Sequence, residues 1–282
     1  MKIVALVMCD DHLYWGGKKT INSLKFFHPE IDIALYDSKE INRIKAKYKI
    51  PDSLWFSAPC IIDDYLKSHE KPDILIKIGA DCLVLDQLNE IYELDFDVAS
   101  ARNDPDEIGD RDERHNRPDI IRDIPNHEWV NADFVVIKNL KFAEDWFDLT
   151  MKYKNGEIQA LKDFGKVYQG DDMSSLNVVF RTYGYKSLIL DPLGSNLIYG
   201  SSANNRSSNL YCAPSVQQCY NGIFYNWSSW YDVKYNGKKC MLNDRIVKVL
   251  HQGGGTSKSK MNLDLFNSEF REYVKKVTGM DE

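Results

Sequence analysis

The chain opens on a nearly unbroken apolar run at residues 2–8, which stops at Cys9, Asp10 and Asp11. That pattern predicts a buried β-strand. Ile21, Leu24 and Phe27 then recur at helical spacing. Residues 31–36 read as a second strand after a His28-Pro29 turn, and a polar helix follows over residues 40–47. Pro59 suits the first turn of a helix reaching about residue 67, because its missing N–H goes unneeded there. Residues 74–78 and 98–101 read as the third and fourth strands. Strands separated by helices of this length imply right-handed β-α-β crossovers and a mostly parallel sheet.

The second half is less regular. Residues 103–123 are crowded with charged side chains, which suits a solvated loop or a flap over a site. Residues 133–137 resume the strand pattern, and Leu140, Ala143, Phe147 and Met151 mark an amphipathic helix. Met173, Leu176 and Phe180 mark another, opened by Asp171-Asp172, whose carboxylates suit a helix N-terminus. Residues 187–190 and 245–250 read as strands, with a polar Ser/Asn-rich stretch at 194–220 between them. Residues 220–235 carry Phe224, Trp227 and Trp230, which serve either as a stacking platform for a sugar ring or as packing under a loop. Leu263, Phe266, Phe270, Tyr273 and Val277 close the chain as a helix.

Composition narrows the class. At about 150 residues per domain, 282 residues make one large domain or two small ones. A hydrophobic content of 43% supports a sizeable core and excludes disorder as the main state. The net charge of −6 argues against a dedicated nucleic-acid binder, which carries a basic surplus. No apolar run approaches the roughly 18 residues of a membrane span, and the opening run is too short for a secretory signal. The six cysteines are scattered without a C-x-x-C pair, so reduced thiols and a cytoplasmic location are expected.

In open α/β sheets ligands bind at the carboxyl ends of the strands. The residues sought there are Asp10-Asp11, Asp37, Gly79-Ala80-Asp81, Asn131-Ala132-Asp133, Asp171-Asp172 and His251. Carboxylates with one histidine suit hard-metal and phosphate chemistry rather than a nucleophile–His–Asp set.

Five segments in this order carry a resemblance: KIVALVMCDDHLY (2–14), ILIKIGADCLVL (74–85), WVNADFVVI (129–137), YQGDDMSSLN (168–177) and VLHQGGGTSK (249–258). Together the chain resembles a GT-A fold glycosyltransferase, most similar to the family 8 type. The resemblance implies a Rossmann-like α/β domain spanning residues 1–282. Residues 1–100 would form the nucleotide-binding half, 101–260 an acceptor-side and metal-closing half with a small lobe, and 261–282 a C-terminal helix. It further implies sugar transfer with retention from a nucleotide-diphosphate sugar, UDP-linked, to a glycan or other hydroxyl acceptor, aided by Mn²⁺ or Mg²⁺.

Residue by residue, the resemblance places Asp10, Asp11 and Tyr14 at the uracil and ribose. The second segment is similar to the family's D-x-D strand end, with Asp81 as metal ligand and Gly79 where the first acid stands. His251 is the further metal ligand. Gly254 lets the backbone approach phosphate, and Lys258, one residue later than the family pattern, neutralises it, with Lys260 as a fallback. Asn131 would bind sugar hydroxyls, and Asp133 stands where the family has glycine. Asp172 matches the first acid of the D-Q-D-x-L-N motif, with Asp171 beside it, to orient hydroxyls or stabilise an oxocarbenium-like centre.

Two rivals remain on the sequence. A sugar-phosphate nucleotidyltransferase wants a Gly-rich basic first loop, but Gly16-Gly17-Lys18-Lys19 comes late and begins a helix. A non-catalytic nucleotide-sugar or glycan binding protein finds its best support in Gly79.

Overall fold

Alternate residues of the first strand face two different cores. Ile3, Ala5 and Val7 pack into one, and Val4 and Leu6 into the other. This is the period of two that a strand buried on both faces requires. The computed structural model describes residues 1–11, 14–50, 57–102, 130–157, 172–190, 219–220, 224–226, 234–242, 245–251 and 267–280.

In chain order the strands are β1 (Ile3–Met8), β2 (Asp32–Tyr36), β3 (Ile74–Gly79), β4 (Cys82–Val84), β5 (Val98–Arg102), β6 (Val130–Ile137), β7 (Ser187–Leu190), β8 (Cys219–Tyr220), β9 (Phe224–Asn226), β10 (Lys234–Tyr235), β11 (Cys240–Leu242), β12 (Arg245–Ile246) and β13 (Val249–His251). The helices are α1 (Tyr14–Phe27), α2 (Ser38–Tyr48), α3 (Ser57–Ser68), α4 (Asn89–Glu93), α5 (Leu140–Asn155), α6 (Asp172–Thr182) and α7 (Ser268–Thr278).

Among the described residues, seven strands form the central sheet in the order β2-β1-β3-β6-β5-β7-β8. The pairings β1–β2, β1–β3, β5–β7 and β7–β8 are parallel. β6 alone runs antiparallel, against β3 on one side and β5 on the other. The α/β class and the mostly parallel sheet expected from the sequence are therefore observed.

Helices cover both faces. Leu24 of α1 and Phe270, Val274 and Val277 of α7 pack on the face that carries Ile3, Ala5 and Val7. Ile41 and Ile44 of α2, Ile61 and Ile62 of α3, Phe142 and Trp146 of α5 and Val179 of α6 pack on the other. Trp146 is fully buried, and its indole N–H donates to the Asp172 carbonyl at 2.9 Å and to Ser175 Oγ at 3.1 Å. One side chain thus fills the second core and fixes the start of α6, so a large truncation there costs about 3–5 kcal/mol.

Two expectations are corrected in detail. Residues 245–250 form two short strands, because the chain changes partners there. β12 pairs with β11, whereas β13 pairs with β4 and β9. Between them Val247 donates to the Cys240 carbonyl at 2.8 Å and buried Lys248 donates to the Gln87 carbonyl at 3.0 Å. Residues 131–133 neither follow nor precede a strand; they lie inside β6 near its start.

Asp64 of α3 is nearly buried between two cations of α2. Arg43 Nη2 lies 2.7 Å and Lys47 Nζ 2.5 Å from its carboxylate. Burial pushes the Asp64 carboxyl up, but the bonds and charges of Arg43 and Lys47 outweigh it and hold the group below its ordinary 3.8. The stability this carries is present above that ordinary value and is lost as pH falls through the lower folded one. In urea unfolding near neutral pH, Asp64→Asn is expected to cost about 1–2 kcal/mol, since Arg43 and Lys47 are half exposed. The gap to wild type closes as the carboxylate is protonated.

Candidate functional site

The carboxyl ends of β1 and β3 lie side by side, with Met8 opposite Gly79. Because β6 is reversed, its beginning lies at the same edge, where Ile78 pairs with Phe134. That reversal is why Asn131 and Asp133, near the start of their strand, meet residues that end theirs.

β3 carries one charge in an otherwise apolar run. Lys77 is 3% exposed, and its ammonium donates to Asp133 Oδ1 at 2.9 Å. Burial alone lowers a lysine, but the charges of Asp133 and then Asp172 raise Lys77 above its ordinary 10.5. The buried ammonium therefore stays charged and is bonded to the Asp133 carboxylate of β6, and the charge of Asp172 at the start of α6 adds to the field that keeps it so. Asp172 is the first residue of α6 and is 8% exposed. The structure thus seats Asp133 on a lysine that the sequence analysis did not single out, with Asp172 near enough for its charge to act on that lysine. Its signal was a lone cation in the apolar run ILIKIG, which a buried strand cannot hold without a counter-ion.

Gly79 ends β3, and Ala80-Asp81 turn the chain into β4. A Cβ at Gly79 would stand 2.7 Å from Asp81 Oδ1 and 3.0 Å from Asp133 Oδ1. Asp81, Asp133 and Gly79 are therefore immediate neighbours. The turn is held from α1, whose Thr20 hydroxyl lies 3.0 Å from the Ala80 carbonyl and closer still to that of Cys82. α1 approaches this closely because of its glycines. A Cβ at Gly16 would meet the Ala80 carbonyl oxygen at 2.6 Å, and one at Gly17 would meet Cys9 Sγ at 2.5 Å. Gly16-Gly17 are packing residues inside a helix, which removes the main support for a nucleotidyltransferase loop.

Asn131 is 1% exposed, and its Oδ1 accepts from the Asp133 N–H at 2.6 Å. Its carbonyl accepts from the Ser100 hydroxyl at 2.6 Å. The Asn131 side chain thus orients the backbone that presents Asp133. Asn177 of α6 clamps the strand start: its Oδ1 accepts from the Val130 N–H at 2.8 Å and its Nδ2 donates to the Val130 carbonyl at 2.9 Å. The asparagine of the Leu176-Asn177 pair therefore has an architectural role that the motif alone did not reveal.

Asp10 follows β1, and the Asp11 N–H donates to Ser38 Oγ at 2.9 Å, which ties this turn to the start of α2. Asp37, also a strand-end acid, is used as the N-cap of α2, accepting from the Glu40 N–H at 3.0 Å. Tyr14 is the first residue of α1. His251 ends β13 and pairs with Cys82, so its backbone lies one residue along from Asp81. Asp171, Gly254, Lys258 and Lys260 lie outside the described residues, as do the 103–123 segment and most of the 220–235 aromatic stretch.

Among the described residues no cluster of three or more His, Cys, Asp or Glu side chains is assembled for a metal. Asp81 and Asp133 are the nearest approach, a pair of hard oxygen donors. Burial pushes the Cys9 thiol up to about 11 and the Cys60 thiol up to about 12, so neither is a nucleophile near neutral pH. A surface cleft of about 830 Å³ between Tyr235–Gly237 and α7 shares no residue with this site. No helix among the described residues is long and apolar enough to cross a membrane.

No protein-family model matches the chain, and no curated protein sequence matches it. Solved structures do. The chain is similar to a galactosyltransferase, LgtC, in complex with donor and acceptor sugar analogues, with a TM-score of 0.56 and 14% identity over 98% of this chain and 95% of that one. It is also similar to the bifunctional glycosyltransferase WbbM in its apo form, with a TM-score of 0.55 and 14% identity over 98% of this chain and 49% of that one. The chain has the GT-A glycosyltransferase fold.

The Lys77 arrangement is testable on its own. Lys77→Met removes the buried cation bonded to Asp133, and is expected to lower the urea-unfolding free energy by about 3–5 kcal/mol. Adding Asp133→Asn to Lys77→Met should return part of that loss. In wild type, the Lys77 contribution is present below pH 10.5 and is lost as pH rises through its higher folded value.

Proposed function

We propose that the chain is a metal-dependent glycosyltransferase of the hexosyltransferase type. It moves a sugar from a nucleotide-diphosphate donor, UDP-linked, to a glycan or other hydroxyl acceptor. The observation that carries this reading is the meeting of Asp81 and Asp133 beside Gly79, on the strand-end edge of a GT-A fold.

Each part of a nucleotide sugar has a counterpart in this chain. Asp10 and Asp11 accept from base N–H groups and ribose hydroxyls, and Tyr14 offers a stacking face. Asp81 and His251 hold Mn²⁺ or Mg²⁺, and the oxygen donors beside Gly79 are of the type such ions prefer. A bound divalent cation supplies positive charge that stabilises the departing diphosphate. Gly79 and Gly254 let backbone approach the phosphates, and Lys258 adds a further cation there. The family resemblance assigns Asn131, Asp133, Asp171 and Asp172 to the sugar end, where buried Asn131 acts by holding the backbone of Asp133.

In the retaining course implied by the family 8 resemblance, the departing phosphate takes the acceptor proton on the same face of the sugar. Asp172 then orients hydroxyls, with its charge steadied by Lys77, instead of acting as a strong base. One domain built from residues 1–282 and a cytoplasmic setting complete the proposal.

A panel of nucleotide sugars assayed for nucleotide release tests it. Slow release from a UDP-sugar, stimulated by Mn²⁺, is the expected result. Asp81→Ala should lower that release by about 100-fold or more, beyond the effect of losing an outer-shell partner. Tight UDP-sugar binding with no release from any donor would instead favour the non-catalytic binding protein.

A further inference from the structure

The outer edge of β4 is closed by a helix. Among the described residues β4 pairs only with β13, so alternate backbone groups of Cys82 and Val84 point away from that partner. α1 bonds to them. The Thr20 hydroxyl donates to the Cys82 carbonyl, and Ser23 Oγ accepts from the Val84 N–H at 3.1 Å. Both side chains are fully buried. Ser23 can accept there because its own hydrogen goes to the Thr20 carbonyl, also at 3.1 Å.

Thr20 does more than close an edge. Its hydroxyl also lies 3.0 Å from the Ala80 carbonyl and 3.4 Å from that of Gly79. Three carbonyls thus surround one hydroxyl, and they come from residues on both sides of Asp81. A hydroxyl carries a single hydrogen, so the turn is folded around one donor. Gly16, one helical turn earlier, presses from the same side: a Cβ there would meet the Ala80 carbonyl oxygen at 2.6 Å.

We propose that Thr20 is a positioning residue of the donor site. Its buried hydroxyl sets the peptide groups on either side of Asp81, and so sets where that carboxylate stands. The same helix begins at Tyr14, six residues or about 9 Å before Thr20. α1 therefore ties the residue assigned to the nucleoside to the turn assigned to the diphosphate. This rests on the reading that Asp81 serves a nucleotide-diphosphate donor. Ser23 belongs to the same seam but bonds three residues beyond Asp81, so it is the matched control for a purely structural effect.

The test compares Thr20→Val, Thr20→Ser and Ser23→Ala in the full chain. UDP binding is read by calorimetry with Mn²⁺ present, and the turn by amide hydrogen exchange over residues 79–84. Thr20→Val keeps the shape and removes the donor, and is expected to weaken UDP binding by about tenfold or more. Exchange at Cys82–Val84 should quicken in both Thr20→Val and Ser23→Ala, since each loses a bond to β4. Ser23→Ala should nevertheless keep UDP affinity within about threefold of wild type, as should Thr20→Ser, which retains the hydroxyl. If Thr20→Val does not fold, Thr20→Cys takes its place with the same expectation, because a thiol is a weak donor of similar size.

A folded Thr20→Val chain with wild-type UDP affinity overturns the proposal while the donor reading stands. So does a Ser23→Ala chain that loses as much UDP affinity as Thr20→Val, because general loosening of β4 then accounts for both. Failure of Thr20→Ser to restore binding overturns it too. A wild-type chain that binds no UDP overturns the donor reading and this proposal with it.

Discussion

A lysine sealed inside the central sheet must be met by negative charge, and the site is arranged around that demand. Lys77 sits in a strand whose neighbours are aliphatic, where an unpaired ammonium is not tolerated. Its counter-charges come from β6 and from the start of α6, which share no local sequence with β3. The same ion pairing that satisfies the core fixes Asp133 at the strand-end edge of the sheet. Folding and site assembly are thus linked through one buried charge.

The reversal of β6 makes this possible. A parallel strand in that position would present its carboxyl end at the edge and carry Asn131 and Asp133 to the far side of the sheet. Running antiparallel, β6 delivers its first residues beside Gly79, and Asn177 of α6 locks them by bonding both backbone groups of Val130. Trp146 fixes the start of α6 in turn, through the Asp172 carbonyl and the Ser175 hydroxyl. From α5 to α6 to β6, each element is held by the next, and the chain of contacts ends on carboxylates.

Small residues set the distances. Gly16 and Gly17 let α1 lie against the β3–β4 turn, and Thr20 bonds into that turn from the same helix. Gly79 leaves room for two carboxylate oxygens. None of these glycines has a conformational task; each is there because a side chain would collide with a neighbour. Composition counts them all alike, and only their surroundings separate a packing glycine from one at a phosphate.

The α/β class, the longer strands of the central sheet and the helices flanking it could be read from period and apolar runs, because burial on both faces leaves a local trace in those strands. The strand-end acids were legible for the same reason, as polar breaks after apolar runs. Other features left no such trace. The division of 245–250 into β12 and β13 comes from a change of partner strand. The roles of Lys77 and Asn177 come from contacts with residues 56 and 47 positions away. By itself the sequence determined which residues are apolar, which are charged and where runs end. Only the tertiary structure decided that β6 runs backwards and that Asp133 fills the space left by Gly79, because strand direction and register are set by the packing of distant segments.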